Sequence, residues 1–436
     1  MTQPAIASIP TAGELLFAID LAHVQSVMNE PTDETLCTHL LSLENRSFPT
    51  STPTVQDIIS CDGQDLSDEQ ITRLIGGFDI EFFADDIDLA WAAAVTYGSC
   101  SAPASIGASN AVYSLAISAT GGTYRLIFNG RSTAALAWNA NAAAIQAAID
   151  ALLGAGLWVV GGTGPWSLTA AGANLNAEVL APRVTLTKLT GGTATITPTT
   201  EGGPARKSYT ITKQTEKQLP AFTAVIGYQS GSAWRMADIV VNQFAVSLED
   251  SGLYRVRMGL IWSGLYDKLT GFTFAGCAAR DLLESKYSKV LFGATNVTDE
   301  ISVNEFSLQN NARIDSAYTN VLKIPQRLER ADLRPQTFKM KADESDDSVY
   351  DLVMANNQEG TRGGVTSRIG SAVRGVTINA PETVLRMDGG ANDTSGPGGA
   401  ARVPVLIRCL NSTSAADRPT SITALTSYAG GFLALA

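Results

Sequence analysis

The chain has only two histidines, His23 and His39, in 436 residues, which leaves little for chemistry built on an imidazole base. Both lie in one N-terminal stretch and read as packed or surface helix residues in preference to a general base. Five cysteines (Cys37, Cys61, Cys100, Cys277, Cys409) are scattered with no C-x-x-C pair. That pattern excludes a disulfide framework and a zinc ribbon, and suits free, mostly buried thiols of a protein made in a reducing compartment. No apolar run reaches the ~18 residues of a membrane-spanning helix. The opening M-T-Q-P-A-I-A-S-I-P has neither the basic nor the apolar region of a signal peptide. Charge is sparse, at 17 % of residues against 45 % hydrophobic, with a net −11. Such a lean charged surface suits a protein covered by neighbours. The acidic balance keeps free subunits soluble and supplies no Lys/Arg stripe to displace counterions from nucleic acid. It is compatible with an acidic wall along which DNA slides without sticking.

What is present is repetition. Residues 238–246 read D-I-V-V-N-Q-F-A-V and residues 300–308 read E-I-S-V-N-E-F-S-L, aligning Ile239, Val241, Asn242, Phe244 and Val246 with Ile301, Val303, Asn304, Phe306 and Leu308. A second echo sets F-D-I-E-F-F-A-D-D-I-D-L-A-W, from Phe78, against F-K-M-K-A-D-E-S-D-D-S-V-Y-D-L, from Phe338. Each is an alternating strand, an acidic cluster and an amphipathic stretch. Internal similarity of this kind indicates one structural unit used twice, and the length allows two or three domains.

Along the chain, residues 11–45 predict two helical pieces, the first capped by Thr11 with Glu14 in capping-box position and Leu15, Leu16 and Ile19 on it. The Pro/Ser/Thr-rich stretch 46–56 predicts an extended arm. Phe78, Ile80 and Phe82 alternate with polar neighbours as in a half-buried strand, and Asp85 or Asp86 then opens a helix carrying Leu89, Ala93 and Tyr97. Between 111 and 203 charge almost vanishes and Ala, Gly and Thr dominate. Here Tyr124, Leu126 and Phe128 line a strand, Asn129-Gly130 makes a hairpin turn, Ala135 to Trp138 returns, and Asn139 or Asn141 caps a helix with Ile145, Ile149 and Leu152. Strands at 157–160, 166–170, 184–189 and 193–197 complete a self-contained α+β module inserted in a host, which resumes with the strand 208–213. The run 239–262 predicts a long hairpin whose second arm sets Tyr254, Val256, Met258 and Leu260 on one face and Arg255 and Arg257 on the other. A mixed connector spans 265–298, and a second unit follows from 299, with strands at 301–308 and 337–341, a helix at about 345–355, a Gly-rich loop at 356–374, and strands at 375–379, 383–387 and 402–409.

No constellation for catalysis, cofactor binding or metal ligation emerges. The G-G-T-G at 161–164 lacks the Lys and following helix of a phosphate cradle and reads as a turn. Tyr228 to Ser232 (Y-Q-S-G-S) lies between strands and is no nucleophile elbow. The clusters Asp85, Asp86, Asp88 and Asp343, Glu344, Asp346, Asp347 lack EF-hand spacing. Both precede helices, where carboxylates cap free N–H groups and complement the dipole.

The combination of F-D-I-E-F-F-A-D-D-I-D-L-A-W, S-Y-T-I-T-K and W-R-M-A-D-I-V-V-N-Q-F-A-V-S-L-E-D-S-G-L-Y-R-V-R-M-G-L-I-W resembles the tail-tube (major tail) proteins of long-tailed bacteriophages. I-S-V-N-E-F-S-L-Q-N-N with R-V-P-V-L-I-R resembles the version with the tube fold twice per chain; the likeness covers about residues 75–107 and 206–410. The stretch G-T-Y-R-L-I-F-N-G-R-S-T-A-A-L-A-W-N-A-N-A-A-A-I-Q-A-A-I is similar to a small module found in phage structural proteins. The resemblance implies a mainly β, α+β fold. It would comprise two tandem β-sandwich or split-barrel domains, 1–110 with 204–298 and 299–436, the first with an N-terminal helical arm and the second with a C-terminal one, and the module 111–203 would project outward. It implies a non-enzymatic virion protein assembled in the host bacterial cytoplasm, stacking as rings into the tail tube with tape-measure, tail-terminator and baseplate or tip proteins as partners. DNA would pass the lumen without specific binding, and no cofactor, metal or membrane is involved. A doubled fold implies a homotrimeric ring with pseudo-sixfold symmetry, the alternative being a homohexamer, and the net charge suggests an acidic lumen.

Two other classes fit the composition. One is a capsid decoration or other virion surface protein. The other is an adhesin-like carbohydrate-binding β-protein, for which Trp138, Trp158 and Trp166 would form a stacking platform instead of module core.

Overall fold

The computed structural model describes residues 15–21, 37–41, 43–44, 51–59, 66–214, 218–228, 232–249, 252–263, 266–275, 281–298, 301–312, 328–329, 335–343, 361–387, 402–410 and 420–432. The fold is mainly β, with large antiparallel sheets. Strands β1 (Leu15–Ile19), β2 (His39–Leu41), β3 (Ser51–Ile59) and β4 (Leu66–Phe83) lead into helix α1 (Asp86–Tyr97). Short strands β5 (Gly98–Cys100) and β6 (Ala104–Ile106) follow.

Next comes the module, with β7 (Val112–Ile117), β8 (Gly121–Phe128), β9 (Arg131–Ser132), β10 (Leu136–Ala137), α2 (Ala142–Leu153), β11 (Trp158–Gly161), β12 (Trp166–Ala170), β13 (Arg183–Thr190) and β14 (Ala194–Thr200). The host resumes with β15 (Arg206–Lys213), β16 (Ala221–Tyr228), β17 (Ala233–Leu248), β18 (Tyr254–Trp262) and β19 (Tyr266–Leu269). The remaining strands are β20 (Lys289–Phe292), β21 (Thr295–Asn296), β22 (Ile301–Gln309), β23 (Gln336–Asp343), β24 (Thr361–Gly370), β25 (Gly375–Met387), β26 (Arg402–Cys409) and β27 (Ser421–Thr426).

The module's strands pair among themselves. Its strands form two small sheets, β10-β8-β13 with β9 beside β8, and β11-β12-β7-β14, and none pairs with a host strand. Tyr113, Leu115, Tyr124, Leu126, Phe128, Ile145, Ile149, Trp158 and Leu168 form its own core. Asn129 and Gly130 take positive φ (50° and 76°), the left-handed geometry a two-residue hairpin requires. Of the two candidate caps, Asn141 is the one used: its side chain accepts from the Ala144 N–H at 2.9 Å.

The largest host core is shared between its two copies, with two smaller clusters around Val225 and Val240 beside it. Phe17 of β1, Phe82 of β4, Trp91 of α1, Val256 of β18, Phe306 of β22, Phe338 of β23 and Ile378 of β25 belong to one buried cluster. The segments expected to be separate domains therefore share their interior. Helix α1 lies within it, buried on every face, as a helix with Ala and large apolar residues all round must be. One antiparallel run of strands, β4-β18-β17-β22-β23-β26-β25-β24, crosses the whole host. A row of directly opposed buried residues (Phe82, Val256, Val246, Phe306, Phe338, Ile407 and Leu385) follows it from strand to strand.

The pairings repeat in chain order. β1 pairs β2 and β16, as β20 pairs β21 and β24. β4 pairs β18, as β23 pairs β26. β17 pairs β16, β18 and β19, as β25 pairs β24, β26 and β27. The ladders end in step, Phe83 opposite Arg255 and Asp343 opposite Arg402, which matches Phe78 with Phe338 and Ile80 with Met340 as the second echo does. The first echo is different: β17 and β22 are sheet neighbours, Phe244 opposite Leu308, so they are not equivalent strands. β17 corresponds to β25, while Leu43, bridged to Phe82, and Ser51, paired with Gly76, take the places of Ile301 and Leu308 of β22. The second copy begins at β20, ahead of the expected residue 299.

Several expectations are corrected. The N-terminal stretch forms strands where described: Leu15 to Ile19 are all buried, and a short apolar run packed between β16 and β2 takes the sheet period. Thr11 and Glu14, His23, and the helix expected at 345–355 lie outside the described residues. The supposed Gly-rich loop contains β24, whose Gly363 leaves room for the Phe292 ring. The two strands expected at 375–379 and 383–387 are one, β25.

Candidate functional site

The acidic cluster at the start of α1 is divided among structural tasks. Asp85 caps the helix, accepting from the Asp88 N–H at 2.6 Å. Asp86 accepts from the Ser427 N–H at 3.3 Å and lies 4.0 Å from Arg374, whose guanidinium also meets Asp281 at 2.6 Å. Burial pushes the Asp86 carboxyl above its usual range, against the hydrogen bond from Thr426 and the Arg374 charge. Asp88 is 0 % exposed and meets His39 Nε2 at 2.5 Å. His39 thus lies on a strand, β2, where its contact with Asp88 ties the N-terminal segment to the central helix. Asp343 ends β23, while Glu344, Asp346 and Asp347 lie outside the described residues. Among the described residues no group of three His, Cys, Asp or Glu is placed to hold a metal.

The other candidates also resolve into architecture. Gly161 ends β11 opposite Ser167, so 161–164 belongs to the β11–β12 hairpin turn. Trp158 is module core, its ring 5.3 Å from Phe128 and 6.0 Å from Tyr113. Trp166 is half-buried and Trp138 38 % exposed; with Trp158 inside, the three form no common platform. Tyr228 ends β16, outside any strand-to-helix turn. Cys37 is buried, and Cys100 and Cys409 are half-buried free thiols, while Cys61 and Cys277 lie outside the described residues. Burial pushes the Cys100 thiol up to about 11 and the Cys409 thiol to about 12. No described helix is long and apolar enough to cross a membrane.

What the sheet presents outward is a charged face. Asp79 and Glu81 of β4 alternate with buried Ile80 and Phe82, and Arg255 and Arg257 of β18 stand beside them. Arg257 meets Glu81 at 3.0 Å, and Arg255 meets Glu44 at 2.9 Å and Glu249 at 3.6 Å. In the second copy, Lys339 and Lys341 of β23 occupy the places of Asp79 and Glu81. Arg408, Arg386 and Arg362 continue this end of the face on β26, β25 and β24. The face therefore carries carboxylates interleaved with Arg255 and Arg257 at one end, and Lys and Arg side chains with Glu305 opposite Lys339 at the other. Sequence inspection missed this because the charges are brought together only by the ladder register.

The sheet run also has two unlike ends. Among the described residues β3 pairs with β4 alone. At the far end the described β24 ladder on β25 runs from Gly370 opposite Gly375 to Thr361 opposite Leu385.

A scan against protein-family models and a search of curated proteins returned no match.

Proposed function

We propose that this chain is a structural virion protein that polymerises as stacked rings into the tail tube of a long-tailed phage, forming the channel through which DNA enters the host. The observation that carries this reading is the tandem repeat of strand pairings on one continuous antiparallel sheet, its two copies joined by β17 and β22. A unit repeated side by side within one sheet is suited to head-to-tail continuation, and a head-to-tail contact whose rotation closes makes a ring. With two repeats per chain, three chains make a pseudo-sixfold ring, and we propose the trimer. The sequence resemblance to doubled tail-tube proteins supports the same reading, as does the module's likeness to phage structural proteins.

Negative-stain electron microscopy of the purified, concentrated protein tests it. The expected result is stacked-ring tubes with a stain-filled channel, end views showing three chains and six repeats. End views with six chains would replace the trimer by a hexamer. Discrete, non-tubular oligomers would overturn the tube and favour a capsid decoration protein.

A further inference from the structure

The few charged side chains of the inserted module, residues 111–203, are sorted by sign. Two of its carboxylates are engaged with the host: Glu201 meets Arg368 at 3.2 Å, and the charge of Glu178 acts on Lys286 and Arg374. The third, Asp150 of α2, accepts from Gln146 at 2.8 Å. The cations Arg125, Arg131, Arg183 and Lys188 are all exposed on one sheet, β10-β8-β13 with β9 beside it. Among the described residues none of these four side chains meets a carboxylate. In the ladder Arg183 faces Ile127, Thr185 faces Arg125 and Lys188 faces Thr123. This side of the sheet is opposite to the one that buries Tyr124, Leu126 and Phe128. Arg125 is therefore the diagonal neighbour of both Arg183 and Lys188, about 7–8 Å from each at Cα. Lys188 shares the face because of a bulge: β13 takes three residues from Thr185 to Lys188 where β8 takes two from Arg125 to Thr123. Without the extra residue Lys188 would point into the module core.

We infer that this face binds a phosphate-bearing polyol or glycan of the bacterial cell envelope, with Arg125, Arg183 and Lys188 each meeting a phosphate. The inference rests on the tube reading only for the module's place outside the lumen. Three neighbouring cations repel one another, and in a chain of net charge −11 no carboxylate is set among them. An anionic ligand removes that repulsion. Charge complementarity selects the partner: a linear polymer whose phosphates are a few carbon atoms apart matches a zigzag row of cations. The Thr123 and Thr185 hydroxyls on the same face suit the polyol or sugar between the phosphates. A nucleic acid fits less well, because Thr123, Ile127 and Thr185 between the cations offer no aromatic ring on which a base would stack.

The test is binding of the full-length chain to immobilised poly(glycerol phosphate) by biolayer interferometry, with uncharged dextran and a single-stranded oligonucleotide as comparators. The expected result is binding to the phosphate polymer, none to dextran, and a log–log salt slope of about −2 for three phosphate contacts. The triple variant Arg125→Ala, Arg183→Ala, Lys188→Ala should bind about tenfold more weakly with its thermal unfolding unchanged, since all three side chains are exposed. The double variant Arg125→Lys, Arg183→Lys keeps the charge and should stay within about threefold of the parent. No binding, salt-insensitive binding, or full binding by the triple variant would overturn the face. Tighter binding to the oligonucleotide would overturn the assigned partner. A chain that forms tubes without binding the polymer defeats this inference and leaves the tube reading standing. A chain that binds the polymer but forms only discrete, non-tubular oligomers keeps the face and defeats the tube.

Discussion

At the scale of single residues, the polar side chains examined as chemistry turn out to hold the fold. Asp85 was legible from the sequence, because an Asp before an apolar helical stretch caps it whatever packs around it. Asp85→Ala should cost about 1 kcal/mol in urea unfolding, and unchanged stability would show that other acceptors replace the cap. Asp86 is governed by burial, which no local pattern reveals. Its carboxyl is held above the usual range chiefly by desolvation. A raised acid keeps its proton longer in the folded chain, so its favourable contribution is present below the usual carboxylate range and is lost as pH rises through the raised value. Asp86→Asn keeps an acceptor for the Ser427 N–H. Its stability relative to the parent should therefore improve steadily from pH 4 to pH 7, and a flat difference would sink the argument. For the thiols the same sign holds: Cys100 at about 11 and Cys409 at about 12 stay protonated where an ordinary thiol ionises. Iodoacetamide at pH 8 should label both slowly in the folded protein and rapidly in urea, as read by mass spectrometry of their peptides.

At the scale of elements, periodicity was informative where one face is buried and the other wet. The β18 arm alternates as expected, with Tyr254, Val256, Met258 and Leu260 buried. It was ambiguous where all residues are buried, as in Leu15 to Ile19, since a short apolar run fits either a strand or a helix. Glycine misled at β24 because its role there is space for Phe292, not a turn. Gly76 makes the same point: it is where β4 passes beneath the Trp262 indole, and a Cβ there would overlap that ring. Gly76→Ala should destabilise the host by about 1–3 kcal/mol through overpacking. Retained stability would mean that the indole moves freely.

At the scale of the whole molecule, the module and the host differ in how they are joined. Ser109 and Gly203 exchange backbone hydrogen bonds of 3.0 and 2.8 Å, so the module leaves and rejoins the host at one pinch. Arg368 of β24 holds Glu201 beside it at 3.2 Å. Because the module has its own core, residues 109–203 expressed alone should fold cooperatively, and a chain with that segment replaced by a short linker should still assemble with normal bore. Failure of the linker variant to assemble, with its host still folded, would show that the module takes part in assembly. The sequence by itself determined the mainly β class and narrowed each described helix cap to two residues, because these follow from local period and turn chemistry. Only the tertiary structure decided which strands are equivalent. The chain pairs its most similar-looking strands, β17 and β22, with each other, while β25, the counterpart of β17, lies between β26 and β24. The register brings Phe82, Val256, Phe306 and Phe338, far apart in sequence, into one buried row, and that is a property of the whole packing that no local pattern carries.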